Sequence, residues 1–260
     1  MFVDKVEQSV RETGGSLCVG LDPHLDQVPE RFGSTVAGVG SFLDWIIEET
    51  VEHACVYKPN SAFYEALGPQ GFELLVHVIK RVHDSGRPVI LDAKRGDIAS
   101  TAAAYAQAAF GVLGADAITL VPYMGEDAIV PFLDRGGFAF VLTSPSNASS
   151  RHIVEHGKPS LAECVAELSL ELSGRYPNQV GLVVGATHPD SVRTMDAASA
   201  YLPWLVPGLG AQGGEVQAFF ASAATQRLMV INASRSILFS SDPKAAAAAL
   251  KNEIEEARHA

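Results

Sequence analysis

Short apolar runs rich in β-branched residues recur along the chain and alternate with longer stretches of helical periodicity. Runs such as VILDA and GLVVGA show little polar alternation, which is typical of strands that are buried on both faces. The pattern predicts eight strands: Leu17–Pro23, Ala54–Asn60, Pro88–Arg95, Ala117–Tyr123, Phe138–Pro145, Val180–Thr187, Trp204–Ala211 and Arg227–Arg235.

Helical periodicity is clearest in Ser41–His53, Gly71–His83 and Ser160–Leu172, each long enough for a helix to cross back over a sheet. Alternating strands and helices predict parallel strands with right-handed crossovers. Eight such units in roughly 250 residues predict a (β/α)₈ barrel, the TIM-barrel fold of the α/β class. The alternative is a doubly wound open sheet, which usually has a GxGxxG turn after its first strand. Here that position holds GLDPHLD.

Both ends of the chain predict further helices. Phe2–Thr13 is expected to form an extra helix before the first strand, with Gly14 and Gly15 as its stop. The alanine-rich tail predicts the closing helix, with Asp242 as N-cap and Pro243 at the first helical position. Because no linker or low-complexity tract interrupts the pattern, we expect a single domain over residues 1–260.

Composition narrows the classes of partner. The 260 residues are 47% hydrophobic and carry a formal net charge of −11 without a basic run, which argues against nucleic acid or an anionic membrane as partner and favours a small molecule. The three cysteines, Cys18, Cys55 and Cys164, show neither disulfide nor zinc spacing, and Cys18 and Cys55 are expected in the core. Lacking a secretory signal or a long apolar run, the chain is predicted to be cytoplasmic.

Polar residues cluster where the predicted strands end. In a barrel the carboxyl ends of the strands form the catalytic face. The candidates at these ends are Asp22, Lys58, Asn60, Asp92, Lys94, Thr143, Ser144, Ser146, Asn232, Ser234 and Arg235.

Asp92 and Lys94 are two positions apart, so on a strand they share one face. An adjacent carboxylate favours the ammonium form of a lysine, which suits proton delivery better than Schiff-base formation. Alternatively the two residues form a structural ion pair and Asp97 caps the following helix. The presence of Lys58 and Asp22 on neighbouring strand ends favours the catalytic interpretation.

A phosphate site is predicted between the seventh and eighth strands. PGLGAQGG, with Gln212, offers backbone N–H groups that can converge on an anion, and Arg235 adds a fork of donors at the next strand end. Barrels commonly hold phosphate between these two loops. Each feature alone is weak, because glycine-rich loops are often plain turns and most arginines are solvated.

HIVEH, from His152 to His156, matches a zinc-peptidase pattern in which both histidines share a helix face. It lies between a polar loop and Gly157–Pro159, so a short solvated segment is the preferred interpretation. We therefore predict no metal site.

These residues together resemble the orotidine 5′-phosphate decarboxylase family. The resemblance is carried by GLDP at Gly20–Pro23, YKPN at Tyr57–Asn60, the DxKxxD within LDAKRGDI at Leu91–Ile98, PGLGAQGG at Pro207–Gly214 and SR at Ser234–Arg235. LDAKRGDI is similar to the longer-chain branch of the family, and shorter members carry glycine where Ser234 stands. The motifs run from the first predicted strand to the last.

The resemblance implies the role of each residue. Lys94 would protonate C6 of the pyrimidine, with Asp92 near the substrate carboxylate. Lys58 and Asp22 would bind the ribose. Asp97 and Thr101 would complete the site of a neighbouring subunit in a homodimer. Gln212 and Arg235 would grip the phosphate under a lid at Gln212–Phe220, and Ser146 would recognise the pyrimidine, with Thr143 and Ser144 as close alternatives.

The implied reaction converts orotidine 5′-phosphate to uridine 5′-phosphate, the last step of de novo pyrimidine synthesis, without cofactor or metal. Three alternatives stay open. A related sugar-phosphate decarboxylase would use the aspartates to hold Mg²⁺, a Schiff-base aldolase would use Lys58 or Lys94, and a non-catalytic barrel would only bind a phosphate ligand.

Overall fold

The computed structural model of the chain describes residues 1–209, 215–224 and 226–260. Eight parallel strands form a barrel that helices surround, as the sequence predicts. The strands are β1 (Leu17–Gly20), β2 (Val56–Lys58), β3 (Ile90–Arg95), β4 (Ala117–Leu120), β5 (Phe138–Ser144), β6 (Val180–Val184), β7 (Trp204–Pro207) and β8 (Met229–Ala233).

The sheet order is β2-β1-β8-β7-β6-β5-β4-β3, so β2 and β3 are its two edges. Parallel bridges between these edges, Tyr57 with Val89 and Asn60 with Asp92, close the barrel. The N–H of Asp92 donates to the Pro59 carbonyl at 3.0 Å. The closure therefore joins the segments that carry Lys58 and Asp92.

The helices alternate with the strands, and the end helices begin and end as expected. Phe2–Thr13 ends at Gly14, whose φ of 68° is left-handed, and Asp242 accepts a hydrogen bond from the Ala245 N–H at 2.9 Å. The helices are α1 (Phe2–Thr13), α2 (Val36–Thr50), α3 (Ser61–Glu65), α4 (Pro69–Asp84), α5 (Ala99–Ala106), α6 (Val130–Leu133), α7 (Arg151–Val154), α8 (Leu161–Arg175), α9 (Pro189–Ala198), α10 (Glu215–Phe220), α11 (Arg235–Leu238) and α12 (Pro243–His259).

The barrel interior has an apolar lower part closed by α1. Phe2 of α1 packs its ring on Phe138, with ring centroids 4.8 Å apart, and Val6 joins the same cluster. Cys18 and Cys55 are buried in this cluster, which confirms their expected place in the core. Since one end of the interior is filled, a ligand has access from the other end, where the strands terminate.

The predicted strands begin within two residues of the observed ones. The third ends at Arg95 as predicted, whereas the other seven extend too far at their carboxyl ends. Polar residues just beyond the observed strands, such as Asp22 beyond β1, lie on the rim of the barrel mouth. Within the described ranges, no helix is both long and apolar enough to cross a membrane.

Candidate active site

Three charged side chains form an alternating array at the barrel mouth. The Lys58 ammonium lies 2.9 Å from Asp92 Oδ2, and the Lys94 ammonium lies 2.6 Å from Asp92 Oδ1. Lys58 is only 4% exposed, whereas the side chain of Lys94 is 45% exposed. Lys58 therefore holds the Asp92 carboxylate from the buried side, and Lys94 presents its ammonium to the open mouth.

The local sequence explains this geometry. Lys58 follows Val56 on the inner face of β2, and Asp92 follows Ile90 on the inner face of β3, because successive side chains of a strand alternate. In both strands an apolar inward side chain is followed, two residues later, by the charged one. The edges of the sheet meet here, so the two side chains come into contact.

Burial and attraction compete at this array. Burial disfavours the charged form of Asp92, but the combined attraction of Lys58 and Lys94 outweighs it and holds the pKa of Asp92 far below its usual range. Burial likewise disfavours the ammonium of Lys58, yet the attraction of Asp92 and Asp22 raises the pKa of Lys58 above its usual value. Both shifts favour a fixed ionic array at neutral pH.

Thr119 on β4 belongs to this site, and the sequence analysis missed it. Its hydroxyl donates to Asp92 Oδ1 at 2.9 Å. Thr119 is buried and lies two residues after Ala117, whose side chain packs inside the barrel. Counting alternate positions along the fourth strand as well as its end would have found it.

Asp22 lies on the same rim, beside Lys58. Its Oδ1 accepts a hydrogen bond from the Asn60 N–H at 3.1 Å, while the Asn60 side chain caps α3. The backbone after β2 thus fixes the carboxylate, and its other oxygen faces Gly20. A Cβ at Gly20 would lie 3.3 Å from Asp22 Oδ2 and 2.8 Å from Ser234 Cβ, so glycine lets β1 and β8 approach at this point.

The three candidates lie at the end of β5 and just beyond it. The Thr143 hydroxyl donates to the Val141 carbonyl of the same strand. Ser144 pairs with Val184, whose side chain packs outside the barrel, and it lines a cavity with residues of α8 and α9. Ser146 packs against two glycines at the ends of β6 and β7, where a Cβ at Gly185 or Gly208 would lie 2.9 or 3.1 Å from Ser146 Cβ. The geometry therefore favours Ser146 over Thr143 and Ser144 as the residue facing the mouth.

Ser234 and Arg235 follow β8 directly. Arg235 is exposed and begins α11, whereas the Ser234 hydroxyl is buried and has no partner in the described part of the chain. The opposite loop begins at Gly208, whose φ is 95°. Gln212 lies outside the described residues, and of the predicted lid, the described residues 215–220 form α10.

The chain matches a known protein family over most of its length. The family model that matches residues 15–250 is that of the orotidine 5′-phosphate decarboxylase / HUMPS family. The chain belongs to this family.

Two similar members of the orotidine 5′-phosphate decarboxylase family show how much of the chain the match covers. An orotidine 5′-phosphate decarboxylase of Herpetosiphon aurantiacus is 44% identical over 246 residues, which cover 93% of this chain and 90% of that protein. The OMP decarboxylase structure of Leishmania donovani is 39% identical, with a TM-score of 0.87 and coverage of 100% of this chain and 99% of that one. The match therefore extends over the whole barrel.

Asp97 and Thr101 of the family motif lie apart from the array. Asp97 follows β3, and its carboxylate accepts a hydrogen bond from the Ile98 N–H at 2.8 Å. This is the adjacent residue, so Asp97 is not a side-chain cap for the body of α5. Thr101 is exposed in the first turn of α5. Within the described chain, neither residue forms a hydrogen bond or ion pair with Lys94.

The histidines of HIVEH do not share a helix face. His152 lies in α7, which ends at Val154, and His156 lies beyond that end. In residues 1–209, 215–224 and 226–260, no group of three or more histidine, cysteine, aspartate or glutamate side chains is arranged to hold a metal ion.

Proposed function

We propose that the protein is a carboxy-lyase that converts orotidine 5′-phosphate to uridine 5′-phosphate and CO₂. The observation that carries this proposal is the Lys58–Asp92–Lys94 array at the mouth of a barrel whose family members are named for this reaction. The product is a pyrimidine nucleotide, which places the enzyme at the end of de novo pyrimidine synthesis.

The reaction needs strong electrostatic stabilisation. When the bond between C6 and the carboxylate breaks, CO₂ leaves and the electron pair stays on C6 as a carbanion without a conjugated sink. Fixed charges aimed at that position are the main means of lowering such a barrier, and the acceleration required is on the order of 20 kcal/mol. The half-exposed ammonium of Lys94 supplies the nearest cation and then donates a proton to C6.

Asp92 has two effects in this mechanism. It fixes the Lys94 ammonium through a 2.6 Å ion pair, and its negative charge faces the substrate carboxylate, which is relieved of repulsion as CO₂ leaves. Lys58 holds Asp92 from the buried side, so the carboxylate cannot turn away. We propose Asp97 as a further carboxylate that holds Lys94 across a subunit interface.

The remaining proposed contacts bind the substrate away from C6. Lys58 and Asp22 lie at neighbouring strand ends where the ribose hydroxyls would sit. Ser146 faces the mouth where the pyrimidine edge would lie. Arg235 would bind the phosphate through its guanidinium, with Gln212 from the opposite loop, because charge-assisted contacts suit phosphate oxygens. Binding energy from the phosphate can then orient the base.

We also propose that the enzyme is a homodimer with shared sites. Within the described chain, Asp97 and Thr101 form no hydrogen bond or ion pair with the array, and the exposed apolar side chains of Ile98 and Tyr105 lie close to them along the chain. Such a patch next to catalytic-motif residues fits a contact with a second copy, through which Asp97 and Thr101 reach the partner's substrate.

Residues 1–260 are proposed to act as one domain in the cytoplasm. The first and last helices contact each other, since Lys251 of α12 donates to the carbonyl of Thr13 in α1. The three free cysteines, one of them exposed, fit a reducing compartment.

The ion pairs of both lysines argue against the aldolase alternative. A Schiff-base lysine needs a neutral amine, whereas Lys58 and Lys94 each face Asp92 at hydrogen-bond distance. Borohydride with substrate should therefore leave the protein unmodified.

The experiment that tests the proposed function is the turnover of orotidine 5′-phosphate by purified protein in the presence of EDTA, followed by the loss of substrate absorbance. We expect rapid turnover that EDTA does not change. Turnover of a keto-sugar phosphate that requires Mg²⁺, with none of orotidine 5′-phosphate, would support the sugar-phosphate decarboxylase instead.

A further inference from the structure

β3 carries a bulge next to the charged array, on the side that pairs with β4. Leu91 pairs with Ile118 and Arg95 pairs with Leu120, so four steps along β3 are opposite only two steps along β4. The backbone N–H groups of Ala93 and Lys94 therefore have no carbonyl partner in the β4 ladder. Lys94 itself has a φ of 47°, in the left-handed region that non-glycine residues adopt only at a cost.

The hydroxyl of Thr119 fills the gap that this bulge leaves. It accepts the N–H of Ala93 at 3.1 Å and the N–H of Lys94 at 3.0 Å. Its own proton goes to Asp92 Oδ1 at 2.9 Å. A hydroxyl has one donor and two acceptor sites, so Thr119 uses its full capacity on the backbone and side chain of the DxK motif.

Thr119 thus connects the two charged residues that the reaction needs. Asp92 Oδ1 receives both the Thr119 hydroxyl and the Lys94 ammonium, and the same hydroxyl holds the backbone from which Lys94 projects. Thr119 itself is buried, so its hydroxyl makes these bonds within the protein rather than with solvent.

We propose that Thr119 is a positioning residue for the decarboxylation, which holds the β3 bulge so that Asp92 and Lys94 face C6 at a fixed separation. The proposal rests on the proposed function and deepens it. Thr119 does not reach the substrate itself; it acts through the two charged residues.

Valine in place of threonine separates this role from simple packing. Valine has nearly the same shape but takes the acceptor away from the part-buried N–H groups of Ala93 and Lys94 and removes one donor from Asp92. Without these bonds the backbone at Lys94 can relax from its strained φ, and the Lys94 ammonium moves with it. The proposed contacts of the ribose and phosphate come from other strands, so substrate binding should change little.

The expected effect is a split between kcat and KM. A shift of about 1 Å in a catalytic group typically costs on the order of 10²-fold in rate. We therefore expect Thr119→Val to lower kcat on the order of 10²-fold, with KM for orotidine 5′-phosphate within about threefold of the unchanged enzyme. Thr119→Ser, which keeps the hydroxyl, should recover most of kcat.

The test is steady-state kinetics of the full chain with Thr119→Val, Thr119→Ser and Thr119→Ala, together with the melting temperature of each. Thr13→Val is the matched control, because it removes a buried hydroxyl with two backbone hydrogen bonds on α1, outside the site. If Thr119→Val does not fold, Thr119→Ser and Thr119→Ala make the same comparison, since both lack the methyl group and differ by the hydroxyl.

Two results would overturn the proposal. One is a folded Thr119→Val enzyme with kcat within about threefold of the unchanged enzyme. The other is a Thr119→Ser variant that loses as much kcat as Thr119→Ala. Failure of the unchanged enzyme to convert orotidine 5′-phosphate would instead refute the proposed function, so the two failures are distinguishable.

Discussion

At the scale of single residues, the buried ion pair of Lys58 and Asp92 combines stability with function. Two opposite charges are removed from water, so each depends on the other for its charged form. Such a pair adds little net stability compared with apolar residues, but the loss of one partner leaves the other charge buried alone. Because the pair of Lys58 and Asp92 lies beneath Lys94, we attribute it to the electrostatics of the site rather than to the stability of the fold.

Replacement of Asp92 by asparagine should therefore cost both stability and activity. We expect Asp92→Asn to lower the free energy of unfolding by about 3–5 kcal/mol at pH 7, because Lys58 loses its counter-ion. Urea denaturation measures this change. The matched control is Asp84→Asn, which breaks the exposed pair with Lys80 and should cost at most about 1 kcal/mol. A loss below about 1 kcal/mol for Asp92→Asn would contradict the account.

The same pair predicts how stability depends on pH. The folded state lowers the pKa of Asp92, so its ionisation stabilises the fold above the ordinary carboxyl pKa of about 3.9. This contribution is lost as the pH falls from there through the lowered pKa. The difference in unfolding free energy between the unchanged enzyme and Asp92→Asn should hold from about pH 5 to 7 and narrow below about pH 4. A difference in unfolding free energy that grows as the pH falls would contradict the account.

At the scale of elements, the strand ends carry the proposed phosphate site. Arg235 begins α11 directly after β8, so no long loop separates it from the strand end. Charge-assisted hydrogen bonds of this kind contribute about 1.5–3 kcal/mol.

Arg235→Ala should consequently lower kcat/KM for orotidine 5′-phosphate about 10- to 150-fold. Orotidine, which lacks the phosphate, should be turned over equally by both forms. Parallel kinetics with the nucleotide and the nucleoside measure the difference, and Arg11→Ala on the exposed face of α1 serves as control. Equal losses with both substrates would show that Arg235 acts elsewhere than at the phosphate.

Sequence periodicity predicted the type and order of the elements because the strands are apolar on both faces and the helices are amphipathic. It overestimated the length of most strands, since Asp22 and Asn60 continue the local pattern beyond the last residues of β1 and β2. The bulge in β3 and the role of Thr119 also escaped prediction. They depend on the register between β3 and β4, which is a tertiary property that no local pattern encodes.

At the scale of the whole molecule, the barrel has one apolar end and one polar end. Phe2 and Val6 of α1 close the first, and the ionic array occupies the second. The position of Asp97 and Thr101 outside the array is the main reason to expect that a second copy is required.

Hybrid dimers test the shared site. Lys94→Ala and Asp97→Ala should each be nearly inactive, but an equal mixture after subunit exchange should recover about a quarter of the normal activity, because half of the dimers are hybrids with one complete site. Mixing Lys94→Ala with Asp92→Asn should recover none, since both changes lie on the same side of the interface. Absence of recovery in the first mixture, with exchange verified by differently tagged chains, would count against the shared site.

The most direct test of the account is the rate of orotidine 5′-phosphate decarboxylation by Lys94→Ala with EDTA present. The control is Lys5→Ala, whose ammonium is likewise half-exposed and lies 2.6 Å from Asp116, an aspartate with a 9% exposed side chain, before β4 at the opposite end of the barrel. We predict that Lys94→Ala loses at least about 10⁴-fold in kcat, since both charge stabilisation and proton donation disappear, while Lys5→Ala keeps normal turnover. A folded Lys94→Ala enzyme with turnover near normal would show that the array does not perform the reaction.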